Sequence, residues 1–309
     1  MKRNIYLESN IYFLLLIITS IIINGCNKKI TEPVTPTPSV TYTDTVPLMN
    51  IPPIIFGFVN TESKLITLER WQHLGEYLMA KTGIPIEIKI FNNDTDLLNG
   101  FSQQTLDMAF VNGLLYVKAR EKEEVIPVLR SIEDGSPFTK SYIIVRKDSN
   151  LKTIEDLKHR KISFTDKSSA VGYLFPRVML AKKSITDINT YFSEVKFTGD
   201  DFSSFLAVYN GYVDGGIVSQ SVMRKKDDRL KEMKIIGETE AIPLGTVIIR
   251  PGMEKEYINK LNKAFLQIGK TIDTRDLTKT IKIDGYVEST DSDYDGIREN
   301  IKILNKIEK

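Results

Sequence analysis

The sequence predicts an α/β fold. Short apolar runs alternate with stretches whose apolar residues recur at helical spacing, as strands interleaved with helices require. A unit made of a helix end, a turn, an aspartate and a strand also occurs twice, at residues 101–111 and 208–218, which predicts two similar α/β lobes.

The strands and helices are read in chain order. Ile54-Ile55-Phe56-Gly57-Phe58-Val59 reads as a buried strand. Leu68, Trp71, Leu74 and Leu78 recur at helical spacing, and Gly83 ends that helix ahead of Pro85. Trp71 falls on the apolar face and is expected in the core. Residues 86–91 alternate apolar and charged side chains, the pattern of a half-exposed strand. Residues 142–145 and 161–164 read as strands, with a short helix at 154–157 between them.

The amino-terminal segment has a different character. Lys2 and Arg3 precede an apolar run from Ile11 to Ile23, interrupted only by Thr19 and Ser20, and Asn24-Gly25-Cys26 closes it. The run is shorter than the ~20 apolar residues of a comfortable membrane span and reads as a secretory signal over residues 1–25. Cys26 is the one cysteine, so disulfides and cysteine-rich metal sites are excluded. Residues 26–50 carry the stretch TEPVTPTPSVTYTDTVP, too poor in apolar bulk to fold, and read as an extended tether. Without residues 1–25 the chain keeps 40 basic and 39 acidic residues, a balance that points to no nucleic-acid or polyanionic partner.

Four segments then occur in a telling order: LDMAFVNGLLYVKARE (106–121), SYIIVRKDSNLKTIEDLKHRKISF (141–164), DKSSAVGYLFPRVML (166–180) and GYVESTDSDYDGIRENIKIL (285–304). Together they resemble the substrate-binding proteins of phosphate/phosphite/phosphonate ABC importers, over nearly all of the chain beyond Ile54. Cys26 similarly resembles the lipidated cysteine of bacterial lipoproteins. The resemblance implies the two-lobed type II periplasmic-binding-protein fold, each lobe a mixed sheet flanked by helices, with a ligand cleft between. Residues 51–137 and 242–309 are expected to form lobe 1, residues 138–241 lobe 2, and the two chain crossings a hinge. The implied protein is a monomeric, membrane-anchored binding lipoprotein of the cell envelope. It would pass a small oxyanion to permease subunits and use no cofactor. A ligand-sensing or surface-interaction lipoprotein of the same fold is the alternative.

The site expected from the residues centres on Ser168, Ser169 and Ala170. Serines at a helix start offer hydroxyls beside free backbone N–H groups at the positive end of the helix dipole, which suits an oxyanion; plain N-capping accounts for the same serines. Where the resembled loop continues Ser-Ser-Thr-Ser-Gly, this chain has Ser168-Ser169-Ala170-Val171-Gly172. Two hydroxyls, each worth about 1.5–3 kcal/mol toward a charged ligand, are thereby replaced by methyl groups. Other expected contacts depart as well: Asp201 stands for a histidine, and Asp94 and Thr139 for tyrosines. With Asp214 and Asn112 they outline a cleft rich in carboxylates, suited also to an amine or a hydroxylated molecule. Asp94 and Asp201 fit helix caps equally well, and Asp214, like Asp107, fits a turn into a strand. Tyr116 fits a core position or a ligand stack. The two histidines, His73 and His159, lie in no nucleophile, metal or acid–base pattern, so no enzyme is expected.

Overall fold

The computed structural model describes residues 52–60 and 63–308. The signal run, Cys26 and the tether lie outside these residues. Among the described residues no helix is long and apolar enough to cross a membrane.

The strands are β1 (Ile54–Val59), β2 (Ile86–Phe91), β3 (Met108–Val111), β4 (Ile126–Ile132), β5 (Phe138–Thr139), β6 (Ser141–Arg146), β7 (Lys161–Phe164), β8 (Glu194–Phe197), β9 (Gly215–Ser219), β10 (Met233–Glu238), β11 (Ile242–Pro243), β12 (Thr246–Ile249) and β13 (Gly285–Glu288). One sheet runs β13-β4-β12-β3-β1-β2 and the other β10-β6-β9-β7-β8. β5 and β11 pair antiparallel as a short ribbon where the chain passes between the sheets. The two sheets share a plan. In each, a central strand (β1 or β7) pairs parallel with two neighbours, and an antiparallel strand (β12 or β6) adds to the far one.

Among the described residues the α-helices are α1 (Lys64–Thr82), α2 (Asp94–Ser102), α3 (Gly113–Glu123), α4 (Phe175–Lys182), α5 (Ile188–Tyr191), α6 (Asp201–Tyr209), α7 (Gln220–Met223), α8 (Lys255–Phe265), α9 (Arg275–Ile281) and α10 (Asp295–Ile307). The expected short helix near 154–157 is a 3₁₀ turn, Glu155–Leu157. Trp71, Leu74 and Leu78 of α1 are buried on the six-stranded sheet, and the Trp71 ring stacks on Phe58 with centroids 4.2 Å apart. Trp71 is core, as its spacing implies. Tyr116 is core too: it is fully buried and packs edge-on against Tyr294.

The repeated unit has a physical basis. Asp107, just before β3, accepts from the Ile55 N–H through Oδ2 (2.9 Å), and its own N–H donates to the Ile55 carbonyl. Asp214, just before β9, does the same at Lys161: its Oδ2 accepts from the Lys161 N–H (2.8 Å), and its N–H donates to the Lys161 carbonyl. Each aspartate therefore locks the start of one parallel strand, β3 or β9, to the start of its neighbour, β1 or β7. Asp107 also accepts from Arg250 Nε at 2.7 Å.

A single apolar core joins the lobes. Ala170, Leu174, Phe175 and Val178, from the middle of the chain, pack with Tyr116, Tyr294 and Ile297. Gly113 makes that approach possible, since a Cβ there would lie 2.5 Å from Ile297 Cδ1.

Removing the two aspartates separates their contributions. D107A leaves the Ile55 N–H and the Arg250 guanidinium without their carboxylate and is expected to cost about 1–3 kcal/mol. D214A, at a solvent-reached strand edge, is expected to cost about 1 kcal/mol or less. Urea unfolding measures both, and a D214A loss larger than that of D107A would contradict this account.

Candidate ligand cleft

In an open α/β sheet the ligand crevice lies beyond the carboxyl ends of the parallel strands, where the following helices present their amino ends. In the six-stranded sheet β2 leads through Asn93 to α2, and β3 leads through Asn112 to α3. In the five-stranded sheet β7 leads through residues 165–169 to a π-turn, Ala170–Leu174, that runs directly into α4. β8 leads through Asp200 to α6, and β9 ends at Ser219 before α7. Leu97 and Leu98 of α2 and Leu114 and Leu115 of α3 share one apolar cluster with Ala170 and Leu174, so the helices that follow β2, β3 and β7 pack together. The Asp166 charge raises the Asp94 carboxyl across this junction.

The loop after β7 is tightly built. Asp166 Oδ1 accepts from the Ser168 N–H (2.7 Å) and from the Ser168 hydroxyl (2.5 Å), and those bonds hold its carboxyl below the usual range. Ser169 Oγ accepts from the Gly172 N–H at 2.8 Å, so Ser169 is the N-cap. The Ser141 hydroxyl donates to the Val171 carbonyl. Gly172 packs so closely on Thr165 that a Cβ would overlap the Thr165 hydroxyl at 1.5 Å. These contacts commit the Ser168 hydroxyl to Asp166 and make Ser169 Oγ the acceptor for Gly172. They leave the N–H groups of Ala170 and Val171 at the helix start with no acceptor among the described residues.

The carboxylates divide into two kinds. The N-caps of α2 and α6 are Asn93 and Asp200: Asn93 Oδ1 accepts from the Asp96 N–H (2.9 Å), and Asp200 Oδ1 accepts from the Ser203 N–H (2.9 Å). Asp94 and Asp201, each one residue further on, are thereby released from capping. Burial pushes the Asp94 carboxyl up, Lys118 draws it back and Asp166 adds to the rise. Burial likewise pushes Asp201 up, against a hydrogen bond from the Ser219 hydroxyl and the charge of Lys225, with Asp200 adding to the rise. Lys225 lies over the Phe202 ring at 4.4 Å, and Lys167 over Phe197 at 5.5 Å.

The remaining expected residues scatter. Asn112 is exposed at the carboxyl end of β3 and caps α3 by accepting from the Leu115 N–H at 2.9 Å. Thr139 lies in β5, paired with Ile242, and so belongs to the inter-sheet ribbon. Asp214 is a correction: it sits before β9, at the opposite end of the strands from Ser219, with its carboxylate committed to the Lys161 N–H. A residue preceding a parallel strand lies away from the crevice, and that rule alone would have removed it. Ser219 and Lys118 were not singled out from the sequence. Ser219 ends the buried run Gly215–Ser219, a position that marks the crevice side. Lys118, exposed on α3, carries no such signal. Two cavities, of about 300 and 440 Å³, lie away from these strand ends, one beside α4 and β10 and one between α1 and α8. Among the described residues no group of His, Cys, Asp or Glu is placed to hold a metal.

Residues 56–294 match the family described as ABC transporter, phosphonate, periplasmic substrate-binding protein. The chain is 25% identical over 252 residues to a phosphate-import protein PhnD of Mycolicibacterium smegmatis, covering 72% of this chain and 76% of that one. It is 25% identical over 226 residues to the phosphonates-binding periplasmic protein of Escherichia coli, covering 70% and 66%. Among solved structures, PhnD1 of Prochlorococcus marinus in complex with methylphosphonate superimposes with a TM-score of 0.68 at 18% identity, covering 82% of this chain and 98% of that one.

The raised Asp201 carboxyl gives a pH signature. The folded state holds this proton at pH values where the unfolded chain has lost it, so unfolding releases a proton. Stability from this group therefore falls as pH rises from its ordinary value of 3.8 through the raised value, and stays down above it. D201N is expected to match the parent below pH 3.8 and to exceed it at pH 7 in urea unfolding. Equal stability at pH 7 would show that Asp201 is not desolvated.

Proposed function

Because the chain belongs to the family of periplasmic substrate-binding proteins of phosphonate ABC transporters, we propose that it captures a small phosphonate- or phosphate-like oxyanion between its lobes and delivers it to an ABC importer. The curated relatives are transport proteins, and the chain acts as a binder rather than an enzyme. The observation that carries the ligand reading is the pair of unpartnered N–H groups of Ala170 and Val171 at the start of the π-turn and α4. Backbone donors at a helix start, with the dipole behind them, hold an oxyanion without the hydroxyls that Ala170 and Val171 lack. Ser168 and Ser169 immediately precede that position in the chain, and Asn112 and Thr139 are proposed as further ligand contacts.

Closure in this reading swings lobe 2 (residues 138–241) against lobe 1 (residues 51–137 and 242–309) about the β5–β11 ribbon, and the permease detects the closed form. The protein works as a monomer in the cell envelope, facing outward, tethered by residues 26–50 to a membrane through a lipidated Cys26.

Asp94 and Asp201 favour a second reading. Both are free of capping, partly buried and pushed up, so a ligand bearing an ammonium or hydroxyl donor would relieve their desolvation. On that reading the cleft serves a cationic or hydroxylated small molecule, for import or for sensing.

Thermal unfolding with a panel of ligands separates the two. At a hundredfold excess over its dissociation constant a ligand stabilises by ~2.7 kcal/mol, enough to raise the melting temperature by several degrees. Such a rise is expected with methylphosphonate, phosphite or phosphate. A rise with amines or polyols and none with any oxyanion would overturn the oxyanion assignment and support the second reading.

A further inference from the structure

The loop proposed to receive the ligand is held by a side chain from a distant helix. Arg177 of α4 is among the largest fully buried side chains, only 2% exposed. Its Nη2 donates to the Thr186 carbonyl at 3.0 Å, while Nε and Nη1 have no hydrogen-bond acceptor. A buried guanidinium requires a counter-charge. Glu308, at the end of α10, supplies it: Oε1 lies 3.5 Å from Arg177 Nε, and Asp187 adds a weaker field. The same Glu308 oxygen accepts a hydrogen bond from the Tyr173 hydroxyl. Tyr173 is the fourth residue of the π-turn whose first two N–H groups are unpartnered.

The other end of α10 is fixed in lobe 1. Tyr294 and Ile297 are fully buried there, and Arg298 donates to Asp291, which also accepts from the Tyr116 hydroxyl. Midway, Asn300 Nδ2 donates to Glu240 Oε1 at 3.2 Å, beside the second chain crossing.

We propose that Glu308 is a positioning residue for the ligand loop: Arg177 holds its carboxylate, and the carboxylate holds Tyr173, so that the Ala170 and Val171 N–H groups keep their aim. A helix rooted in one lobe thereby sets the geometry of the loop in the other. Glu308 touches no ligand and acts through Tyr173. The role in ligand binding rests on the oxyanion reading of the cleft; the role in ordering the loop does not.

Hydrogen exchange on the ligand-free full chain tests it, with E308A and Y173F compared with the parent. Y173F keeps the ring and leaves Arg177 paired, so it remains informative if E308A fails to fold. Both variants are expected to speed exchange of the hydrogen-bonded loop amides, Ser169 and residues 172–175, by about tenfold or more while β1 and β3 stay unchanged. Loop exchange equal to the parent in Y173F, or acceleration of the loop and of β1 together, would overturn the proposal. Methylphosphonate affinity is the second readout and is expected to fall in both variants in parallel with the exchange. A parent that binds none of methylphosphonate, phosphite and phosphate overturns the oxyanion reading and leaves the exchange result to decide this one.

Discussion

Tyr294 and Ile297, the N-cap and first turn of α10, fill the space above Gly113 and bring that helix against both α3 and α4. The rest of the molecule depends on this wedge. It packs apolar groups from both lobes into one core, and apolar burial at about 25 cal/mol per Å² makes such a junction far stronger than a few surface ion pairs. It also gives two of the sequence's distinctive segments a common purpose. The glycine and tyrosine after β3 and the Asp291–Tyr294 turn are parts of one joint, in which the Tyr116 hydroxyl and the Arg298 guanidinium converge on Asp291.

The crevice ends of the strands carry opposing chemistry. Unpartnered backbone donors at Ala170 and Val171 invite negative charge, while Asp94, Asp166, Asp200 and Asp201 oppose it. Cations stand close to the acids: Lys118 acts on Asp94 and Lys225 on Asp201. Lys167 and Lys225 rest on aromatic faces, which reduces the desolvation cost of holding them near the crevice. A ligand that closes this cleft has to satisfy donors on one side and acceptors on the other.

The fold was legible where one physical rule governs. The uninterrupted apolar run of β1, the helical spacing of Trp71, Leu74 and Leu78, and the two aspartates opening β3 and β9 each come from burial or from a backbone N–H that needs an acceptor. The site was less legible, because neighbouring residues compete for the same local task. Asn93 and Asp94, like Asp200 and Asp201, are adjacent polar residues before a helix, and only backbone geometry decides which one caps. Asp214 shows the limit of residue type, since an aspartate can face the crevice at one end of a strand or bind a neighbouring strand at the other, as Asp214 does. Contacts such as Tyr173 with Glu308 join residues 135 positions apart, and no local pattern announces them.

The chain order of the sheets has a consequence for biogenesis. All five strands of one sheet fall within residues 141–238, an unbroken stretch, whereas the other sheet begins at Ile54 and is completed only by β12 and β13. Contacts close in sequence form sooner than distant ones, so the inner sheet can assemble while the outer one still waits for its later strands. Among the described residues Glu308 comes after all the strands and helices named above. A polypeptide that has released residues 141–238 but not yet α10 thus holds the five-stranded sheet with its loop unanchored, and the cleft matures only when α10 docks.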